Sequence, residues 1–391
     1  MKSKNLILTT LLAATTLAAT QTQTQAQTQN SDRHSNVQVS LFPPLSTNGR
    51  HSADYTNDAS FNIIAGTSLD ERNVTLGGVA NIVGRDAKGF QGAGVINVIG
   101  RDTDGFQAAG VANVIGREAE GFQSAGVANV TGGDIDGLQT AGVVNATGGD
   151  AEGMQAAGVA NKAREMEGLQ LAGVANLARE LDGFQIAGVG NVARDVEGAQ
   201  IAGVFNLARR VDGVQIAGVF NVADHSDYPI GLVNVIRDGE MSIGLGYNEI
   251  GTASVNFRSG GRVMYGIVGV GYNHRVKESR NAFGLTGGIG AHIAIAPWFR
   301  VNTELSSEYL NPFKRGSGGT FKSGLAVLPA FRVGRIELFG GPSINYMKSS
   351  NLDMYSIFPS KSLWDRQLSG RTTLQQIYFG WQAGVQFLIK N

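Results

Sequence analysis

Between Leu76 and Val235, asparagine recurs at positions 81, 97, 113, 129, 145, 161, 176, 191, 206, 221 and 234, at spacings of 16 five times, 15 four times and finally 13. Nine glutamines, Gln91 to Gln215, each precede an Asn by six residues within a unit Gly-x-Gln-x-Ala-Gly-Val-x-Asn, as in Gly183 to Asn191. So short and regular a period restricts the fold to one small unit stacked many times, each unit burying its face against its neighbours. Helix is disfavoured, because a mid-unit Gly costs about 1 kcal/mol against Ala in a helix and every unit carries two.

The unit therefore reads as about ten extended residues closed by a short charged turn such as Arg194-Asp195-Val196-Glu197-Gly198. With side chains alternating, Gln185, Ala187, Val189 and Asn191 would share one face, and Phe184, Ile186, Gly188 and Gly190 the other. Two all-β architectures satisfy this reading. In a β-solenoid of tandem 15–16-residue coils, every Gln lies over the previous Gln and every Asn over the previous Asn. Their amides can then bond along the stack at about 4.8 Å per step. In an antiparallel meander, or one large antiparallel barrel, each unit is a strand and Gln faces Asn across the pair.

After Asp238 the repeat gives way to period-two alternation. Phe283, Leu285, Ile289, Ile293 and Ile295 oppose Gly284, Thr286, Gly288, Gly290 and His292. Phe299, Val301, Leu305 and Tyr309 oppose Arg300, Asn302, Glu304 and Glu308, and Phe379, Trp381, Val385 and Phe387 oppose Gln382, Gly384 and Gln386. Apolar on one face and polar or small on the other is the pattern of a membrane barrel with a tight polar lumen, although soluble antiparallel sheets also alternate. The alternation predicts eight strands, over 241–247, 251–258, 261–273, 282–296, 298–310, 320–333, 335–348 and 375–389. The tight connections at Arg258 to Gly261, Pro297 and Gly334-Arg335 would be periplasmic. The long ones at 273–282, 310–320 and 348–375 would face outward, with the connection near Glu249 unusually short. An even strand count then puts the start of the first strand, and the array, on the periplasmic side.

At the N-terminus, Lys2 and Lys4 precede an uncharged run from Leu6 to Ala19, as in a secretory signal peptide, and a run of about 14 residues is too short to span a bilayer. The chain thus divides into a signal peptide (1–26), a polar leader with capping strands (27–73), the repeat domain (74–236) and an antiparallel β-barrel-like domain (237–391). Lys plus Arg is 32 and Asp plus Glu is 32. A chain without basic surplus is a poor nucleic-acid binder. The absence of Cys from all 391 residues removes disulfides, thiolate metal sites and Cys nucleophiles.

Several segments carry a resemblance. Leu41 to Gly49 (Leu-Phe-Pro-Pro-Leu-Ser-Thr-Asn-Gly), Tyr55-Thr56-Asn57, the repeated unit, and Pro229 to Gly239 together resemble a family of exported bacterial surface-repeat proteins of Bacteroidetes type, over residues 36 to 310. The final strands resemble outer-membrane β-barrel proteins. The resemblance implies a location and an architecture and supplies no catalytic residue.

Nothing in the residues themselves adds one. His34, His51, His225, His274 and His292 lack metal-ligand spacing. His292 is predicted to face the lumen near Glu304 and Glu308, but no serine is placed against it, which favours a histidine in a polar network over a hydrolase site. Arg300, Lys322, Arg332 and Arg335 against Glu304, Glu308 and Glu337 could mark a permeation path. In an eight-stranded barrel, paired charges fill the interior instead. The sequence reading is a non-enzymatic envelope protein in the outer membrane or at the cell surface, without catalytic, cofactor or metal site. In it a barrel anchors a repeat scaffold for binding or spacing. Its partners would be outer-membrane lipid and an envelope protein or glycan. The alternative is a pore or transporter formed by the whole β-region.

Overall fold

The computed structural model describes residues 33–276, 282–312, 318–367 and 373–390. The predicted signal peptide (1–26) and the residues up to 32 lie outside them. The protein is all-β: a parallel-strand solenoid of about twelve turns followed by a closed eight-stranded antiparallel barrel. Parallel pairing of Gln on Gln and Asn on Asn excludes the antiparallel meander and the single large barrel. The chain forms two compact units, Met1–Arg179 and Glu180–Asn391.

In the first unit, one coil consists of a seven-residue strand, Ala119–Ala125, and a four-residue strand, Ala128–Thr131. The long strands stack into one parallel sheet and the short ones into a second. This corrects the reading of ten continuous extended residues. The Gly-Val of each unit is a corner between two strands, so Val95, Val111, Val143 and Val159 are exposed rather than sharing the inward face with Gln and Asn. The corners also belong to the hydrogen-bonded stack, since Val111 N donates to Val95 O at 2.9 Å and Val127 N to Val111 O at 2.9 Å.

Stacking explains both glycines of the unit. Gly121, two residues before Gln123, has φ +105°, where a β-carbon is strained. Gly126 forms the corner, and a β-carbon there would overlap the carbonyl oxygen of Gly110 in the preceding coil. Helix propensity makes glycine merely unfavourable, whereas the closeness of neighbouring coils makes it required.

The second unit begins with the coils from Glu180 to Ile236, built in the same way, with Gln200 on Gln185 and Asn206 on Asn191. The barrel follows, with strands β1 (Glu240–Asn248), β2 (Thr252–Gly260), β3 (Met264–Asn273), β4 (Ala282–Ala296), β5 (Phe299–Asn311), β6 (Thr320–Val333), β7 (Ile336–Ser349) and β8 (Leu374–Lys390). Each strand pairs with the next, and β1 pairs with β8 to close the ring. These strands coincide with those predicted from the alternation to within three residues. A short extra strand, Trp364–Gln367, pairs with β8. The last coil packs on the outer wall of the β2–β3 hairpin, where Asn234 donates its backbone N–H to Ser259 Oγ at 3.0 Å and its side-chain amide to Ser259 O at 3.2 Å.

Candidate functional site: the buried polar interiors

Both regions place polar side chains inside. In the array, the Gln and Asn of the repeat are essentially inaccessible. Asn113 Nδ2 donates to Asn129 Oδ1 and Asn129 Nδ2 to Asn145 Oδ1, both at 2.9 Å, and Asn129 also donates to Thr140 O at 2.8 Å in the next coil. The Asn column therefore donates toward the following coil. The Gln column runs the other way: Gln139 Nε2 donates to Gln123 Oε1 at 2.9 Å, and Gln155 to Gln139 at 2.7 Å. The opposed directions set the side-chain amide dipoles of the two columns against one another. Thr131 and Thr147 add hydroxyl rungs to the Gln column. The column is interrupted between Gln107 and Gln123, where Gln107 Oε1 and Gln123 Nε2 lack partners. Burial on this scale makes the amides a structural device and puts them out of a ligand's reach.

The first coils are irregular. Gly66 occupies an Asn position, and Asn62 of the neighbouring strand reaches across to donate to Asn81 Oδ1 at 2.9 Å. Glu71 takes the core position held by Ala87 in the next coil and accepts from Ser60 Oγ at 2.6 Å and Asn57 Nδ2 at 3.1 Å. Burial pushes its carboxyl above the usual range, against those hydrogen bonds.

Charge lies at the second corner of the coil and the start of the long strand. Asp104, Glu120, Asp136, Glu152 and Glu167 stand in register. Beside them Arg101 pairs with Asp86 at 2.9 Å, and Arg164 Nε with Asp150 at 2.7 Å. The Arg164 guanidinium holds the Asp150 carboxyl below its ordinary value, against slight burial.

The barrel lumen is filled in layers. Near the tight turns, Arg300 bridges Glu240 at 2.6 Å and Glu337 at 2.8 Å, and Arg332 contacts the same two carboxylates. His292 sits in this layer, its Nδ1 2.7 Å from Asn302 Oδ1 and its ring stacked on Tyr265 at 4.2 Å. In the next layer Glu304 accepts from Arg258 Nε at 2.7 Å, Tyr265 Oη at 3.0 Å and Gln382 Nε2 at 3.2 Å. Above it, Glu249 accepts from Lys322 at 3.0 Å, Tyr378 Oη at 2.9 Å and Asn345 at 3.2 Å. Glu249 reaches these partners from the short turn between β1 and β2. A polar cavity of about 50 Å³ lies between Arg258, Asn256 and Glu308. Beyond it, the 3₁₀ segment Leu352–Ile357 brings Met354 and Ile357 onto Ile250, Leu310, Met347 and Tyr378, an apolar lid at the loop end.

His292, Glu304 and Glu308 thus face one lumen but bond to different partners, and His292 belongs to a polar network as its position in β4 predicts. Arg335 is corrected: it lies exposed in the β6–β7 turn, away from the lumen charges. The sequence reading missed Glu240, Arg258, Tyr265 and Glu249. For Arg258 and Tyr265 the strand alternation carried the signal, whereas Glu249 sits in a turn where alternation says nothing. Among the described residues no group of three His, Asp or Glu side chains could hold a metal ion.

Fold and interior together define the class: a β-solenoid joined to a closed β-barrel, with hydrogen-bonded polar groups inside each. No protein-family description matches the chain, and no curated protein matches it. Among solved structures, the solution NMR structure of a de novo designed protein, TMB2.3, is similar to 40% of this chain over 100% of its own length, at 15% identity and a TM-score of 0.23.

Proposed function

We propose that the protein is a non-enzymatic component of a bacterial cell envelope, its barrel seated in the outer membrane and its repeat array serving as a scaffold for binding or spacing. The observation that carries this reading is the inverted polarity of the barrel. Leu245, Val270, Leu285, Leu305, Leu325, Leu338 and Phe379 are exposed on the outer wall, while Arg258, Arg300, Glu304 and Glu337 are buried. An apolar exterior over a charged interior has a favourable free energy only in an apolar medium. Aromatic pairs flank the wall. Trp298, Phe299 and Phe331 cluster at the tight-turn end, and Tyr272–Phe283 and Tyr247–Trp381 lie at the loop end. That is the pattern of interfacial girdles.

The ion-paired layers and the lid favour an anchor over a pore. The tight turns and the start of β1, where Glu240 pairs with Gly260, share one end of the barrel, and we assign that end to the periplasm. Export through residues 1–26, the surface-repeat resemblance, and an envelope protein or glycan as partner belong to the same proposal. Expression in a Gram-negative host tests it. The protein should fractionate with the outer membrane, need detergent for extraction and give no steady conductance in planar bilayers. Recovery as a soluble monomer would overturn the anchor, and stable channels would favour the pore.

A further inference from the structure

The barrel is not the only region with an apolar exterior. In the coils from Glu180 to Ile236, the corner residues Val189, Val204, Val219 and Leu232 form one exposed column. Phe184, Ile186 and Ile216 are exposed on the outer face of the long-strand sheet and Val235 on that of the short-strand sheet, with Phe205 and Phe220 stacked at 5.6 Å. Charge is segregated to the opposite corner and the adjoining strand starts, at Arg194, Asp195, Arg209, Arg210, Asp212 and Asp224. These coils are therefore amphipathic in cross-section: two sheet faces and the corner between them are apolar, and one edge is charged.

We propose that this apolar side rests in the interfacial region of a lipid bilayer, with the charged edge turned to water. The inference extends the membrane-barrel reading and rests on it. Two observations select lipid over a second copy of the chain. The apolar surface is convex and wraps around a corner onto two sheets, so a flat dimer interface would leave much of it in water, whereas a fluid medium covers it throughout. It is also continuous with the outer wall of the barrel. Gly287 lies in β4 between outward-facing Leu285 and Ile289, and a β-carbon there would sit 3.4 Å from Leu232 Cδ2, the last member of the corner column. The column thus ends against the wall proposed to face lipid.

The construction suits that medium, because neighbouring coils hydrogen-bond through their backbones and the polar amides point inward, where among the described repeat amides only Gln107, Gln123 and Gln215 leave an atom unpartnered, so contact with hydrocarbon strands few polar groups. The coils of the first unit repeat the pattern, with Val111, Val143 and Val159 at the corner and Phe90, Phe106 and Phe122 stacked at 5.3 and 4.7 Å on the long-strand sheet. Lys162 is one charge on the short-strand face there, on a stem long enough to snorkel.

The chain has no Cys, so single labels can be placed without background. The full-length variants V204C, D212C and L285C, each carrying an environment-sensitive fluorophore, would be reconstituted into phosphatidylethanolamine–phosphatidylglycerol vesicles with or without brominated acyl chains. The inference expects V204C and L285C to be blue-shifted and to lose most of their emission to the bromolipid, with D212C unaffected. If L285C is quenched and V204C behaves like D212C, the array does not touch lipid and the inference falls while the barrel reading stands. If L285C is not quenched, the barrel reading falls and takes the inference with it. A blue-shifted, unquenched labelled V204C would overturn the inference, and a disulfide-linked dimer of the unlabelled V204C protein after oxidation with copper–phenanthroline would assign the surface to a second copy.

Discussion

The array and the barrel solve one problem with different chemistry. Each buries polar side chains, the array as neutral amides in register and the barrel as ion pairs across a lumen. In the array successive coils offer the same donor and acceptor at the same height, so an amide, which is both, can bond above and below, as Asn129 does to Asn113 and Asn145. In the barrel the inward residues differ at every level, and satisfaction comes from long charged side chains that reach several strands at once, as Arg300 reaches Glu240 and Glu337. Repetition permits a one-dimensional polar ladder, whereas closure demands a three-dimensional network.

Deletion should separate the two regions most strongly. Removing the sixteen residues 113–128 joins Ala112 to Asn129 in the register of the original stack, so the shortened protein should fold with one coil fewer. Removing a single barrel strand such as β4 leaves an odd number that cannot close in the same topology, and folded protein in detergent should be lost. Circular dichroism and protease resistance of both variants check this, and an unfolded 113–128 deletion would show that the coils are not independent units.

Next in size is the loss of one partner from a buried ion pair. Arg258→Ala strands Glu304 in the lumen and should cost about 3–5 kcal/mol, whereas Arg258→Met with Glu304→Gln should recover most of it. Urea titration in detergent reads both. The corresponding change in the array, Asn129→Ala, leaves an N–H of Asn113, the Oδ1 of Asn145 and the carbonyl of Thr140 without their partner. At about 1–3 kcal/mol per stranded group, partly relieved by relaxation, roughly 2–4 kcal/mol should be lost. An Asn129→Ala penalty as large as that of Arg258→Ala would mean that neutral ladders and ion pairs are equally unforgiving.

The smallest effect concerns Glu71, a carboxyl with no basic partner in an otherwise neutral interior. Its folded pKa is raised by burial, so the folded state binds the proton more readily than the unfolded one. Its contribution is therefore most favourable below the unfolded value and is lost as pH rises through the folded one. Amide exchange over residues 57–75 should quicken with rising pH beyond its intrinsic dependence. Glu71→Gln should abolish that excess, and an unchanged excess would assign it to another group.

Much of this architecture was legible in the residues. The spacing of Asn and Gln announced a stack of short β-units but left a parallel solenoid with amide ladders and an antiparallel meander both open, and the parallel register of the coils decided between them. The alternation from Phe283 to Phe387 announced the barrel strands, because parity alone decides which face of a strand is inside. Parity also located His292 and Glu304 in the lumen. It failed where the backbone turns: Val189 was placed inward because the Gly-Val corner was read as strand, and Glu249 was overlooked because it lies between strands.

Local periodicity along the chain is enough for the repeat length, the all-β class, the strand positions in the barrel and the polarity of the barrel's two faces. That each coil bends twice, that neighbouring coils approach too closely for a β-carbon at the repeated glycines, that the two amide columns donate in opposite directions, and which lumen charges meet emerge from the folded arrangement alone. Those outcomes depend on distances between residues a whole coil or a barrel diameter apart, and no pattern along the chain encodes a distance across it.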